Sequence, residues 1–233
     1  SNLGVRANIP AHGPLVGRTQ QISDIMEQII EIPNQIGIVH GPGGVGKTAL
    51  LIELSRQLFE DESSKSVYFH NIIWVTAKPN YYDPTLDRVD ARQPQFQSLD
   101  NVLAAILEFH EFEDANTYQF EEKQWLVLEL LRDSKTLLIL DNFESVARAG
   151  QEDILKFFGV TVKQALKDKP DYFKVLVTSR ELIPSGFHQI KLKGLDKRES
   201  KQLMQRLYEP YARSGKQQLT NQQQDSLYET TQG

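Results

Sequence analysis

The chain has 233 residues, 39% of them hydrophobic, with a formal charge of -5 and a pI near 5.6. That is enough for one α/β domain with a real core plus a small accessory piece, and it argues against a disordered chain or a generally basic nucleic-acid face. There is no cysteine, so disulfides, thiol catalysis and cysteine-bound zinc are excluded, consistent with a reducing cytoplasm; no apolar run approaches the length of a membrane span.

In chain order, Ser1-Asn2-Leu3-Gly4 has no signal-peptide character, and Ser1-Asn2 could be a cloning remnant. Residues 1–14, with Pro10, Gly13 and Pro14 and little periodicity, read as an extended lead-in passing over a surface. Leu15-Val16-Gly17-Arg18 then opens a helical pattern in which Ile22, Ile25, Met26, Ile29 and Ile30 recur at spacings of three and four, until Pro33 closes it. Arg18 is either a solvated charge at a helix start or a contact to nucleotide.

The apolar run Ile36-Gly37-Ile38-Val39-His40 leads into Gly41-Pro42-Gly43-Gly44-Val45-Gly46-Lys47-Thr48, and Ala49-Leu50-Leu51 begins a helix. The spacing is G-x-x-x-x-G-K-[ST] between a strand and a helix, the context that pattern requires. Backbone N–H groups of such a loop wrap the α- and β-phosphates, Lys47 reaches the β- and γ-phosphates, and the Thr48 hydroxyl is left for Mg²⁺. Gly41, Gly43, Gly44 and Gly46 let the backbone approach phosphate, and the helix start near Gly46 adds its positive end.

That helix should run to about Phe59 on the face Leu50, Leu51, Leu54 and Leu58, before Asp61-Glu62-Ser63-Ser64 ends it. Asn71-Ile72-Ile73-Trp74-Val75-Thr76-Ala77 has the β-branched and aromatic content of a strand buried on both faces. Residues 79–97, with three prolines, read as a long surface loop, and two helices are expected over 99–112 and 117–132, the second placing Trp125 in the core.

The apolar strand Thr136-Leu137-Leu138-Ile139-Leu140 ends in Asp141-Asn142-Phe143-Glu144. In a parallel sheet, ligands sit outside the carboxyl ends of the strands, so Asp141 arrives at the edge that carries the phosphate loop, either as a loop cap or as a ligand of the Mg²⁺ bound by Thr48. A helix over 151–166 precedes Lys174-Val175-Leu176-Val177-Thr178-Ser179-Arg180, which delivers Arg180 to the same edge. There it stabilises γ-phosphate charge or forms a salt bridge to Glu181 or Asp141. A short strand at 188–192, a helix capped by Asp196 and Glu199, and a helix near 221–230 complete the reading. The stretch from Gln217 to Gln224 is too short to be prion-like, and the five histidines lack metal-ligand spacing.

Taken together, Leu15-Val16-Gly17-Arg18, the 41–48 loop, Ile72-Ile73-Trp74-Val75, residues 137–144, residues 174–180 and Lys191-Leu192-Lys193-Gly194-Leu195 resemble the successive motifs of the STAND NTPases of the AP-ATPase or NB-ARC type. The resemblance implies a three-layer α/β/α P-loop NTPase core with a parallel five-stranded sheet in the order 2-3-4-1-5. It divides the chain into a lead-in and first helix over 1–33, the NTPase core over 34–195 and the beginning of a helical lid over 196–233.

The resemblance also implies an ATP/ADP switch with Mg²⁺, closed with ADP and self-associating with ATP, with an effector domain N-terminal and sensing repeats C-terminal. By motif it carries over Lys47 and Thr48 as phosphate and Mg²⁺ ligands, Asp141 as metal ligand, Arg180 as sensor of the γ-phosphate, and Val16 with Arg18 as the adenine and ribose side. The loop residues from Gly41 and Gly43 through Val45 to Ala49 line the nucleotide, and adenine is favoured because no N-K-x-D-type segment follows Asp141. Many members have a second acid where this chain has Asn142, which leaves Glu144 as the substitute base. Thr231-Gln232-Gly233 is similar to the approach to a family Gly-x-Pro segment that contacts adenine. Two other readings stand beside the switch: an AAA+-like motor or remodelling ATPase, and a nucleotide-locked scaffold without hydrolysis.

Overall fold

Both alternating sets of residues in the central strands are apolar, so the sheet they form has to be covered on both faces. The computed structural model describes residues 6–11, 13, 15–33, 36–60, 68–83, 88–91, 93–184, 186–213 and 219–231. The expected start at Ser1-Asn2-Leu3-Gly4, the helix stop at Asp61-Glu62-Ser63-Ser64, Gln217 and the final Gln232-Gly233 lie outside the described residues.

The strands are β1 (Arg6–Ala7), β2 (Ile36–His40), β3 (Asn71–Thr76), β4 (Asn80–Asp83), β5 (Arg88–Ala91), β6 (Thr136–Asp141), β7 (Phe173–Ser179) and β8 (His188–Lys191). Six of them form a wholly parallel sheet in the order β1-β3-β6-β7-β2-β8. From β3 to β8 this is the expected order 2-3-4-1-5. The expected count of five is corrected to six, because the lead-in pairs Arg6 with Asn71 and Ala7 with Ile72 on the outer edge of β3. Asn8 extends that pairing with its side chain, whose amide donates to the Trp74 carbonyl at 3.0 Å and whose oxygen accepts from the Trp74 N–H at 2.6 Å. A second correction concerns residues 79–97, where β4 and β5 make an antiparallel hairpin inside the expected loop.

The helices are α1 (Thr19–Ile25), which runs on as a π-helical turn over Met26–Ile30, α2 (Lys47–Glu60), α3 (Leu99–Phe109), α4 (Phe120–Asp133), α5 (Arg148–Lys156), α6 (Lys163–Ala165), α7 (Lys197–Arg213) and α8 (Asn221–Thr231). A π-helical segment, Phe157–Val162, joins α5 to α6. Ser98 caps α3 by accepting from the Asn101 N–H. Asp196 and Glu199 start α7 reciprocally: Glu199 N–H donates to Asp196 Oδ1 at 2.7 Å and Asp196 N–H to Glu199 Oε2 at 3.0 Å.

Two cores result, one on each face. Ile73, Val75, Leu138, Leu140, Val175 and Val177 pack with α3, α4 and α5, whereas Ile72, Trp74, Leu137, Ile139, Leu176 and Val39 pack with α1 and α2. Truncating a fully buried member such as Ile139 to alanine would cost about 2–5 kcal/mol. Trp125 belongs to neither core. It is 61% exposed, because α4 turns Lys123, Val127 and Leu131 inward and Trp125 lies on the opposite side of the helix. Lys123 occupies an inward position because both Asp100 oxygens take its ammonium, at 2.8 and 3.0 Å, tying α4 to the start of α3.

Lys174 is buried at the start of β7, where its ammonium donates to the Ile32 carbonyl. Burial pulls its pKa from 10.5 down to about 8, with Asp171 opposing the shift and Lys135 adding to it. Between those values the unfolded chain holds a proton that the folded chain does not, so this group adds stability as pH rises from about 8 to 10.5, by at most about 1.4 kcal/mol per pH unit. Denaturant unfolding of the unmodified chain and of Lys174→Met across pH 7.5–10 should show the unmodified chain gaining on the variant as pH rises; a pH-independent difference would mean Lys174 does not titrate in that window.

Candidate nucleotide site

Register assembles the site. β3 and β6 pair Thr76 with Asp141, β6 and β7 pair Leu140 with Val177, and β2 and β7 pair Val39 with Thr178 and His40 with Ser179. Thr76, Asp141 and Thr178 therefore fall in one row at the carboxyl edge, on the sheet face covered by α1 and α2. The phosphate loop leaves β2 beside them, tied back by the Gly41 N–H donating to the Ser179 carbonyl at 3.2 Å.

The loop geometry explains three of its glycines in two ways. Gly44 and Gly46 have φ of 78° and 96°, in the left-handed region, and a Cβ on either would meet open space. At Gly41 space decides, since a Cβ there would lie 2.3 Å from the Leu192 backbone oxygen. Gly46 accepts from the Leu50 N–H at 2.9 Å, so the N–H groups that open α2 point along the helix axis away from their own helix, as an anion requires.

Lys47 folds back on the loop, its ammonium donating to the carbonyls of Gly41 at 2.7 Å and Pro42 at 2.9 Å. Burial holds its pKa below the ordinary lysine value; Glu144 and Asp141 pull it back up and Arg180 pushes it down, so these four charges share one neighbourhood. Asp141 is buried and takes three hydroxyls: Thr178 donates to Oδ1 at 2.7 Å, Thr48 to Oδ1 at 2.8 Å and Thr76 to Oδ2 at 3.3 Å.

Arg180 and Glu144 meet as an ion pair, Nε to Oε1 at 3.0 Å, with Arg180 at the surface and Glu144 mostly covered. The salt bridge weighed for Arg180 is thus made, but to Glu144 and not to Glu181 or Asp141. Glu144 sits on the 3₁₀ turn Phe143–Ser145, aimed by Asn142 at φ 63°, and among the described residues nothing donates to its buried Oε2. The Asn142 side chain donates to the Ser145 hydroxyl at 2.5 Å.

Val16 and Arg18 precede α1, and Arg18 reaches the loop at Val45. Arg18, at φ 71°, is buried, and its guanidinium donates to the Val45 carbonyl at 3.0 Å, so it is not a solvated charge. Burial lowers its pKa and the Glu199 carboxylate opposes that shift. Val16 is buried next to it, and Ala49 lies in the first turn of α2.

Sequence reasoning missed Thr76, Thr178 and Glu199. Polar residues at the ends of apolar strands were the available signal for the threonines, but only register shows that both flank Asp141. Among the described residues no cluster of three or more His, Cys, Asp or Glu could hold a metal. The hard oxygens of Thr48 and Asp141, 2.8 Å apart, fit magnesium, which takes few protein ligands and fills its shell with phosphate oxygens and water.

A parallel sheet with a glycine loop on a central strand and an acid ending a nearby strand defines the P-loop NTPase fold. Within it the chain belongs to the NB-ARC domain family, whose model matches residues 18–208, and it is a nucleotide-binding domain of that family. Solved structures agree in fold: Cdc6p from Pyrobaculum aerophilum (TM-score 0.55, 17% identity, covering 87% of this chain and 51% of that one) and the replication initiator DnaA bound to AMPPCP and single-stranded DNA (0.50, 12%, 94% and 57%). Drosophila ORC bound to DNA is similar at TM-score 0.50 and 12% identity, covering 81% of this chain and 45% of that one. An uncharacterized WD repeat-containing protein of Nostoc sp. is 24% identical over 139 residues, 59% of this chain and 10% of that protein. The chain thus spans about a tenth of that relative and about half of each solved chain. No helix is long and apolar enough to cross a membrane among the described residues.

Two glycines of the loop differ in the space around them. Gly41→Ala drives a methyl into backbone and should destabilise by about 1–3 kcal/mol, whereas at Gly43 the nearest atom to a Cβ is Arg180 Cζ at 3.8 Å. Thermal melts should show a drop of several degrees for Gly41→Ala and nearly none for Gly43→Ala; equal drops would contradict this packing.

Proposed function

We propose that this domain is the adenine-nucleotide switch of a cytoplasmic signal-transduction protein: off with ADP, on and self-associating with ATP, and a slow Mg²⁺-dependent ATPase. The observation that carries the reading is the 3.0 Å Arg180–Glu144 ion pair beside the phosphate loop, because it links a cation suited to the terminal phosphate with the carboxylate best placed to accept a proton. Lys47 leaves the Gly41 and Pro42 carbonyls for the β- and γ-phosphates, the loop and Ala49 line the phosphates, and Val16 with Arg18 face adenine and ribose. Magnesium bound through Thr48 and Asp141 would neutralise charge on the β- and γ-phosphate oxygens.

Arg180 turning to the γ-phosphate frees Glu144. Water then forms its bond to the γ-phosphorus as the bond to the β–γ bridging oxygen breaks; Glu144 takes the water's proton, the γ-phosphoryl group departs as inorganic phosphate, and ADP stays bound as the off state. Only a triphosphate offers Arg180 an alternative to Glu144, so the pair distinguishes ATP from ADP. In this reading residues 1–33, 34–195 and 196–233 serve as lead-in, core and opening of a lid, with effector and sensing parts elsewhere in a longer chain. The match to a small part of a WD repeat-containing protein supports such a layout, repeats being suited to sensing. A net charge of -5 disfavours nucleic acid as a direct partner.

Calorimetry tests the binding arm. Lys47→Ala should abolish nucleotide binding, and Arg180→Ala should weaken ATP by tenfold or more relative to ADP, on the order of one charge-assisted hydrogen bond. Unchanged ADP affinity in Lys47→Ala, or equal loss of ATP and ADP in Arg180→Ala, would end it.

Turnover tests the rest. The isolated chain should hydrolyse ATP at roughly 10⁻⁴ to 10⁻³ per second, as unassisted switch NTPases do. Glu144→Gln should slow it with Mg-ATP affinity nearly intact, and Asn142→Asp should speed it by supplying a second acceptor. Several turnovers per second in the unmodified chain would favour a motor or remodelling ATPase, and none at all a locked scaffold.

A further inference from the structure

We infer that Thr178 is the positioning residue that presents Asp141 to magnesium, with Thr76 as its weaker counterpart on the other carboxylate oxygen. The inference rests on the nucleotide and magnesium reading above and adds residues that reading does not use.

The polarity of the Thr178 hydroxyl is fixed by its neighbours. The Asn142 N–H donates to Thr178 Oγ1 at 2.8 Å, so the hydroxyl proton goes to Asp141 Oδ1, 2.7 Å away. Asp141 takes Thr48 on the same oxygen and Thr76 on Oδ2. Among the described residues every hydrogen bond to this carboxylate comes from a neutral hydroxyl. A buried carboxylate must be solvated by something. An arginine or lysine would solvate it and also cancel its charge; hydroxyls orient it and leave the full negative charge for a cation.

Register makes Thr178 the stronger of the two. It stands opposite Asp141 across the β6–β7 ladder, beside the Leu140–Val177 pair, and its hydroxyl also receives the backbone of the residue after Asp141. Thr178 therefore sets both the direction of the carboxylate and the turn that leads to Glu144. Thr76, whose N–H donates to the Gln95 side-chain oxygen at 2.9 Å, reaches Oδ2 from β3 at the longer 3.3 Å. Partners that orient a metal-binding group commonly change metal affinity by about 10–100-fold when lost.

The experiment is calorimetric titration of the full chain with a non-hydrolysable ATP analogue, in excess Mg²⁺ and in EDTA, for the unmodified protein, Thr178→Val, Thr178→Ser and Thr76→Val. Thr178→Val should lose about tenfold or more affinity in Mg²⁺ and stay within about twofold in EDTA. Thr178→Ser should regain the magnesium increment, and Thr76→Val should lose a smaller part of it.

An unmodified magnesium increment in Thr178→Val, or an equal loss with and without Mg²⁺, overturns the positioning role. If circular dichroism shows that Thr178→Val does not fold, Thr76→Val decides, and a full increment there overturns the inference. An unmodified chain that binds equally in Mg²⁺ and EDTA overturns the magnesium reading itself, a failure distinguishable because it appears before any substitution.

Discussion

The site depends on one constraint: the parallel register that puts the end of β6 level with the ends of β3 and β7. Because side chains alternate along a strand, a shift of one residue in β6 would send Asp141 to the face of α3 and α4 and leave Leu140 or Asn142, neither of them a carboxylate, in its place. The register is held by burial on both faces. Leu137 and Ile139 fit the core under α1 and α2, Leu138 and Leu140 the core under α3 to α5, and neither set can trade places without exposing the polar strand end to the wrong layer. The chemistry at the edge is thus specified by hydrophobic packing several residues below it.

The loop adds a second constraint, this time of backbone conformation. Left-handed φ at Gly44 and Gly46 and the close pass of Gly41 under Leu192 shape a crest that is open above and packed below. The four charges of Lys47, Asp141, Glu144 and Arg180 satisfy one another or nearby carbonyls and hydroxyls. Among the described residues Glu144 Oε2 accepts no hydrogen bond, while the other oxygen of that carboxylate is engaged by the exposed Arg180.

Much of this was legible in the sequence because the elements that carry it are strongly patterned. The strand-loop-helix around residues 36–54, the acid ending residues 136–141 and the arginine after residues 174–179 fixed the central strand order through the motifs they bear, and that order holds from β3 to β8. What was not legible depended on tertiary pairing. β1 is two residues long and draws its bonds from the edge of β3, so no local pattern marks it. Trp125 was misplaced because apolar residues surround α4, and what selects its inner face is the pairing of Lys123 with Asp100. The ion partner of Arg180 was wrong for a similar reason: the left-handed Asn142 turns the chain so that Glu144, three residues beyond the strand end, comes within reach.

Helix α7 brings a further dependence to the site from the opposite direction. Its first turn presents Glu199 against Gly17, so near that a Cβ there would lie 2.5 Å from Oε1, and Gly17 and Arg18 adopt consecutive left-handed conformations beneath it. Arg18 is buried, and two things offset the cost: its bond to the Val45 carbonyl within the phosphate loop and the charge of Glu199. The Arg206 guanidinium adds a contact to the Leu15 carbonyl at 3.4 Å. Moving α7 away would remove the Glu199 charge while leaving the guanidinium buried, which weakens the strut between the Val16-Gly17-Arg18 turn and the loop. The position of α7 and the shape of the loop are therefore coupled through one arginine, and whatever free energy the docking of α7 adds to one loop shape, that loop shape returns to the docking of α7.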